Sequence, residues 1–204
     1  MAERFPVLIF ASGKSTRMQQ PKAMLQINGI PWIQQQATAL SSLNFSNIFI
    51  VTNKDLYITL QKLCPNQIII LNEQDSLGPF FSIQLGIQSI LKKFPSTSVF
   101  IKPVDIPVSD TEVWQQLESK IIPGILASIP SYSNKKGHPV CVSNNIARKI
   151  EKFDVYAENA RLDYILRDIP EENKLICKVN DKKIILNINS PEDWERYLET
   201  YSGN

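Results

Sequence analysis

The sequence predicts an α/β protein built on an open, mostly parallel sheet with helices on both faces. Three observations carry that reading. Apolar runs of strand length, such as Val7-Leu8-Ile9-Phe10 and Ile68-Ile69-Ile70-Leu71, recur along the chain. Helix-like segments alternate with them up to Gly124, the order of a parallel sheet with crossover helices. The 204 residues, 43% of them apolar, are enough to bury one core without disulfides or metals as staples.

Residues 5–11 form a short apolar strand that ends in a polar, glycine-bearing turn. A helix is expected over 33–43, a strand over 47–52 (NIFIVT), a helix over 54–63 and a β-branched strand over 67–71. Residues 79–94 place Phe80, Ile83, Leu85, Ile87, Ile90 and Leu91 along a helix; Gly78 and then Pro79 in the first turn mark its start. A strand over 98–104 ends at Asp105, and a helix follows over 110–121 with Ser109 as its cap. Beyond Gly124 the pattern loosens, with strands expected over 125–129, 138–142, 174–179 and 184–188 and helices over 145–153, 160–167 and 191–201. The run PSYSNKKG at 130–137 reads as a mobile loop. Without an internal repeat, low-complexity stretch or linker, residues 1–204 read as one domain.

Charge and cysteine usage exclude several function classes. A net charge of +2, with cations scattered apart from pairs such as Lys135-Lys136 and Lys182-Lys183, gives no electrostatic footprint for nucleic acid or an acidic membrane surface. No apolar run is long enough to span a bilayer, and the start of the chain lacks the pattern of a secretory signal. Cys64, Cys141 and Cys177 are far apart and odd in number, with no CxxC pair and only one histidine, His138. They read as free thiols of a cytoplasmic protein rather than a zinc site or disulfide framework.

An open parallel sheet binds ligands at the carboxyl ends of its strands. That places the loop after the first strand and Asp105 at one edge. Gly13-Lys14-Ser15-Thr16 first suggests a Walker A loop, but that motif needs a glycine where Leu8 stands, inside the strand. GxGxxG is absent too. What remains is the small-residue turn Ala11-Ser12-Gly13 followed by Lys14, Arg17 and Lys22. Small residues let backbone N–H groups approach a phosphate chain and three cations can neutralise it. A solvated basic turn fits the same composition, and the residues alone leave both readings open.

A resemblance separates them. FASGKSTRMQQPKAML resembles the signature of the MobA-like nucleotidyltransferases, LAAGxSxRMGxxKxLL, with Gly13, Ser15, Arg17, Met18, Lys22 and Leu25 in register. The similarity runs over nearly the whole chain. Asn72, Gly78, Ser82, Ile83 and Gly86 resemble the family's N…G…S-[IL]-x-x-G helix start, and Val104-Asp105-Ile106-Pro107 its strand-end D-x-P. Gly137-His138-Pro139-Val140, Asn159-Ala160-Arg161 and NINSPED at 187–193 resemble three further family motifs.

The resemblance implies a Rossmann-like three-layer α/β/α sandwich of the nucleotide-diphospho-sugar transferase type, with a small antiparallel addition to the sheet. It implies Mg²⁺-dependent transfer of a nucleoside monophosphate from CTP or GTP to a phosphorylated acceptor, molybdopterin in the most similar branches, with release of pyrophosphate. Ala11-Ser12-Gly13 and the GHPV segment look cytidylyl-like; Asn187 and Asn189 look guanylyl-like. Gln19 departs from the family, which has a glycine there suited to a tight turn.

The roles it implies are these. Lys22 supports the α-phosphate and transition state, while Arg17 and the Gly13-Lys14 backbone hold the β- and γ-phosphates. Ala11, Ser12 and Ser15 complete the loop, and Gly78 and Ser82 lie near base and ribose. Asp105 binds Mg²⁺, with Asn189 as second ligand through a weaker amide donor. Asn189 also suits turn chemistry before Ser190-Pro191. A phosphate nucleophile is already ionised and needs no histidine base, so His138 is expected to line the acceptor site or serve structure. Trp32, Trp114 and Trp194 are expected to pack rather than stack on a base. Two alternatives stand beside this reading: a sugar-phosphate or isoprenoid-precursor nucleotidyltransferase of the same fold, and a non-catalytic nucleotide-binding regulatory module.

Overall fold

The computed structural model describes residues 4–13, 16–18 and 20–201, for Thr16 the backbone alone. In chain order the elements are β1 (Val7–Phe10), β2 (Gln26–Ile27), β3 (Ile30–Pro31), α1 (Trp32–Ser42), β4 (Ile48–Asn53), α2 (Lys54–Leu63), β5 (Ile68–Asn72), α3 (Pro79–Lys93), β6 (Val99–Pro103) and α4 (Thr111–Ser119). They continue with β7 (Ala127–Tyr132), β8 (Lys135–Lys136), β9 (Val140–Val142), α5 (Asn144–Glu151), α6 (Leu162–Arg167), β10 (Lys174–Lys178) and α7 (Pro191–Tyr201).

The main sheet runs β10-β7-β9-β6-β1-β4-β5, with β8 paired to β7, and β2-β3 form a separate two-stranded sheet. The pairs β1–β4, β1–β6, β4–β5 and β7–β10 are parallel. β9 lies antiparallel between β6 and β7. The expected fold class is therefore the observed one, with the antiparallel addition in the second half.

The central strands β1, β4 and β6 are buried at nearly every position because both faces are covered, and all but Lys102, Thr52 and Asn53 of their residues are apolar. Alternating side chains divide between two cores. Val7, Ile9, Ile48, Ile50 and Phe100 face one core with α1, α2, α4 and α7. Leu8, Phe49, Val51, Val99 and Ile101 face the other with α3, α5 and α6. The three tryptophans are buried; Trp114 meets Phe45 and Phe100 edge-on, and Trp32 meets Trp194. All three cysteines are buried free thiols. Among the described residues no helix is long and apolar enough to cross a membrane.

Three expectations need correction. Residues 130–137 are not a loop: β7 runs on to Tyr132 and pairs back with β8 across a two-residue turn. Ser133 and Asn134 take positive φ there (47° and 64°), the handedness that suits the twist of a hairpin. Residues 184–188 are not a strand. The chain makes a 3₁₀ turn over Lys182–Ile185, capped by the Asp181 carboxylate on the Lys183 amide. Ile184 and Ile188 are buried without pairing, so their spacing marks burial and not a ladder. Ser109 does not cap α4. The cap residue is Asp110, whose amide donates to Asp181 Oδ2 at 2.8 Å.

Gly137 sits where β8 meets the 3₁₀ turn. A Cβ there would lie 2.2 Å from the Ile184 carbonyl oxygen, so only glycine lets the two backbones cross.

Candidate active site

β1 and β6 are parallel neighbours with Phe10 opposite Pro103, so the chain leaves both strands at the same edge. The Val104 amide donates to the Phe10 carbonyl at 3.1 Å and locks the two exits together. Ala11, Ser12 and Gly13 thereby form one wall of a cleft of about 490 Å³, and Asp105 the other. Arg17, Lys22, Gly78 and Asn189 also line it. Lys14 and Ser15, expected in the loop, and Gln19 lie outside the described residues.

Lys22 opens a 3₁₀ turn, Lys22–Met24, and reaches across the cleft. Its Nζ donates to Asp105 Oδ2 at 2.8 Å and to Asn189 Oδ1 at 2.6 Å. One cation thus sits between a carboxylate contributed by the end of β6 and an amide oxygen contributed by the entry to α7. The Ile188 amide donates to the Asp105 carbonyl at 3.0 Å, which fastens the two segments directly. The Asn189 backbone belongs to a helix cap, the turn chemistry expected of it, and its side chain lines the cleft beside Asp105. The Asn189 and Ser190 amides donate to Asp193 Oδ2, and the Asp193 amide donates to Ser190 Oγ, a reciprocal capping box. Those amides hold the Asp193 carboxyl below the usual range.

Asp105 and Asn189 fit a divalent ion on the chemistry they present. They are hard oxygen donors, and a positive charge already lies within hydrogen-bonding distance of both. One carboxylate and one amide oxygen leave the remaining positions of an Mg²⁺ ion to water and phosphate.

Beneath the loop lies a polar network. Ser12 Oγ bonds Ser82 Oγ, and Asn72 Nδ2 donates to Ser82 Oγ at 2.9 Å. Ser82, expected beside base and ribose, is fully buried behind the cleft wall. It ties the β1 loop to the end of β5. Gly78 does reach the cleft, and its φ of 85° gives the chain the turn from a 3₁₀ segment, Asp75–Leu77, into α3. Asp75 and Ser76 line the same rim; nothing in the sequence distinguishes them from ordinary turn residues.

The turn that presents Asp105 is held from behind by residues the sequence reading passed over. Lys102, fully buried in β6, donates to Gln36 Oε1 and to the carbonyls of Pro103 and Ile106. Gln36 Nε2 and Trp32 Nε1 each donate to the Val104 carbonyl at 2.7 Å. Burial pushes the Lys102 ammonium down to about 7, against the pull of Asp105. The signal that could have found it is a lone lysine inside the apolar run VFIKPV.

A second cleft of about 850 Å³ adjoins the first, sharing Phe10 and Pro79. Phe80, Ile83, Ile129 and Val140 give it an apolar floor, and its charged rim is net positive: Lys136, with Arg161 and Arg167 paired to Asp163 and Lys174 paired to Glu171. His138 lines this cleft, with Nδ1 3.5 Å from the Ile101 carbonyl. Burial lowers its pKa to about 4, so the ring is neutral at pH 7 and a weak base.

Comparison with known proteins agrees with this geometry. Residues 7–173 match the family model described as the MobA-like NTP transferase domain. The chain is 25% identical over 209 residues to a "Probable molybdenum cofactor guanylyltransferase" of Carboxydothermus hydrogenoformans, covering 98% of each. Among solved structures it is similar to Rv0371c of Mycobacterium tuberculosis H37Rv (TM-score 0.76, 12% identity, 97% of this chain and 99% of that one), a protein also solved in complex with manganese. It is similar too to the CTP:phosphocholine cytidylyltransferase LicC of Streptococcus pneumoniae (TM-score 0.69, 18% identity, 96% and 98%). With a loop and an acid paired at one sheet edge and a family model covering most of its length, the chain belongs to the MobA-like NTP transferases and is a nucleotidyltransferase.

Proposed function

We propose that this enzyme moves a nucleoside monophosphate from CTP or GTP to a phosphorylated small molecule, molybdopterin being the acceptor to test first, and releases pyrophosphate. The observation that carries the reading is the Lys22 ammonium held between Asp105 and Asn189. The name of the 25% identical relative supports GTP and molybdopterin over other pairs.

The reaction needs charge stabilised on the α-phosphorus and on the leaving pyrophosphate. Lys22 supports the α-phosphate; Arg17, with the Gly13 backbone amide, holds the β- and γ-phosphates. Asp105 and Asn189 would hold an Mg²⁺ ion, which would neutralise phosphate charge there. When phosphate oxygens enter the cleft, Lys22 exchanges its bonds to Asp105 and Asn189 for them and frees both oxygens as ligands. Ser12, braced by Ser82 and Asn72, keeps the loop backbone in place. The acceptor lies in the second cleft, its phosphate directed toward Phe10 and Pro79. Residues from Ala11 to Asn189 meet in one cleft, which supports reading 1–204 as one nucleotidyltransferase domain. Three buried free thiols support a reducing, cytoplasmic setting.

The test offers the protein CTP, GTP, UTP and ATP in turn with Mg²⁺, measures binding, and then measures pyrophosphate release with molybdopterin. GTP or CTP is expected to bind and to release pyrophosphate only with the acceptor. Binding of no triphosphate overturns the reading. Binding without turnover on any phosphorylated acceptor replaces it with a regulatory module.

A further inference from the structure

We propose that Lys102 is a positioning residue that fixes the turn carrying Asp105 and so sets the geometry of the metal site. The inference rests on the reading of Asp105 as a metal ligand.

Lys102 is fully buried in β6, beside the apolar Val99, Phe100 and Ile101. A buried strand position is ordinarily apolar, because an ammonium loses its hydration there. The side chain is retained by its partners. Nζ contacts three oxygens: Gln36 Oε1, the Pro103 carbonyl at 3.1 Å and the Ile106 carbonyl. Three acceptors match the three N–H bonds of an ammonium. No neutral side chain could donate to all three from that point.

Two of those acceptors are the first and last carbonyls of the four-residue turn 103–106. The Val104 carbonyl between them receives Trp32 Nε1 and Gln36 Nε2, and the Asp105 carbonyl receives the Ile188 amide. Every carbonyl of the turn is therefore bonded. The Ile106 amide closes the turn on the Pro103 carbonyl at 3.4 Å, and Lys102 adds a side-chain bond to each end while also anchoring Gln36, which holds the middle. The Asp105 carboxylate is left to face Lys22 and Asn189. Outer residues that orient a metal ligand typically change metal affinity or activity by about 10–100-fold when lost. Lys102 does not itself line the cleft, and of the residues that do it bonds the Pro103 carbonyl from behind, so it acts through the turn.

The experiment measures Mn²⁺ affinity by electron paramagnetic resonance of the free ion, with an α,β-methylene GTP or CTP analogue bound. Four variants are compared with the native chain: Asp105→Asn, Lys102→Met, Gln36→Leu and Lys102→Met with Gln36→Leu. The double variant removes one of the two acceptors, Gln36 Oε1, that Lys102→Met alone would leave without this donor; the Ile106 carbonyl is the other. Gln36→Leu keeps Lys102 on both carbonyls and Trp32 on Val104, and sets the baseline.

Asp105→Asn is expected to abolish tight Mn²⁺ binding. Lys102→Met is expected to weaken it by about tenfold or more and to lower kcat by more than it raises KM for the triphosphate. The double variant is expected to regain melting temperature without regaining Mn²⁺ affinity. If Asp105→Asn loses Mn²⁺ but a folded Lys102→Met keeps native affinity, the positioning role is overturned while the metal reading stands. Should Lys102→Met fail to fold, recovery of both stability and Mn²⁺ affinity in the double variant overturns it equally. Native affinity in Asp105→Asn overturns the metal reading and this inference together.

Discussion

The two clefts that meet at Phe10 and Pro79 are built on different physics. The first is the smaller, and its polar side chains are held by one another: Lys22 by Asp105 and Asn189, Ser12 by Ser82, the Asp105 turn by Lys102, Gln36 and Trp32. The second is larger, with an apolar floor and cations at its edge. Preorganised charge suits a triphosphate, whose polyanion is the same for every base and acceptor. An apolar floor with a basic rim suits recognition of a particular acceptor, where shape and surface decide. Under the proposed function, the division makes transfer and acceptor choice separable.

The strongest way to break that separation is at the first cleft. Lys22→Ala and Asp105→Ala are each expected to lower turnover by about 10²–10³-fold or more, the scale of losing one transition-state charge partner. Far-UV circular dichroism should show the native fold in both. Acceptor binding, measured by calorimetry without triphosphate, should be unchanged. Near-native turnover in either variant would show that its role is misassigned.

The second cleft contributes a pH dependence of its own through His138. Its pKa is about 4 in the fold against 6.5 ordinarily, so the fold prefers the neutral ring. Between those values the unfolded chain binds a proton that the folded chain does not. The contribution is thus fully present above pH 6.5, declines as pH falls, and levels off below 4. The shift corresponds to roughly 2–3 kcal/mol after discounting for the ring's partial exposure. Urea denaturation at pH 7, 5.5 and 4 should show the decline, and His138→Gln should remove that part of it. Triphosphate affinity at pH 7 should be the same in both proteins.

Acceptor affinity is the next, smaller effect. Lys136→Ala combined with Arg161→Ala is expected to raise KM for the phosphorylated acceptor by about tenfold, on the order of a charge-assisted hydrogen bond, and to leave the triphosphate Kd unchanged. A parallel rise in both constants would merge the two clefts into one site.

The same division governs how far the sequence could be read. The half that builds the first cleft obeys local rules. β1, β4 and β6 are largely apolar runs because both faces are covered, and the exits of β1 and β6 fix where Ala11 and Asp105 must lie. Asn189 was legible only as part of a motif, since it reaches the cleft from the far end of the chain through the Ile188 amide on Asp105. Lys102 was missed because a single charge inside VFIKPV does not disturb the apolar count. Its partner Gln36 sits in the run Gln34-Gln35-Gln36, where only burial distinguishes one glutamine from the next. The second half follows tertiary rules. Ile184 and Ile188 look like strand residues yet are buried by a 3₁₀ turn, and the hairpin at 130–137 hides in a polar composition. Asn28-Gly29, by contrast, is a two-residue hairpin signal that the sequence does carry, and it joins β2 to β3.

The smallest expected effect tests how finely the first cleft is balanced. Asn189→Asp replaces an amide oxygen by a carboxylate at a point where Lys22 Nζ already lies 2.6 Å away. Two opposing consequences follow. A second carboxylate is a better donor to a divalent ion, which raises metal affinity in the presence of triphosphate. It is also a better partner for Lys22, which tightens the ion pair that must open before the metal is held. The first effect acts with triphosphate bound, when Lys22 is drawn to phosphate; the second acts in its absence. Mn²⁺ affinity should therefore rise by about three- to tenfold with a non-hydrolysable triphosphate bound, about 0.6 to 1.4 kcal/mol of added charge interaction. Without nucleotide it should change little. A rise of equal size in both states would mean that Lys22 does not compete with the ion, and that the ammonium between Asp105 and Asn189 has no part in ordering the two binding events.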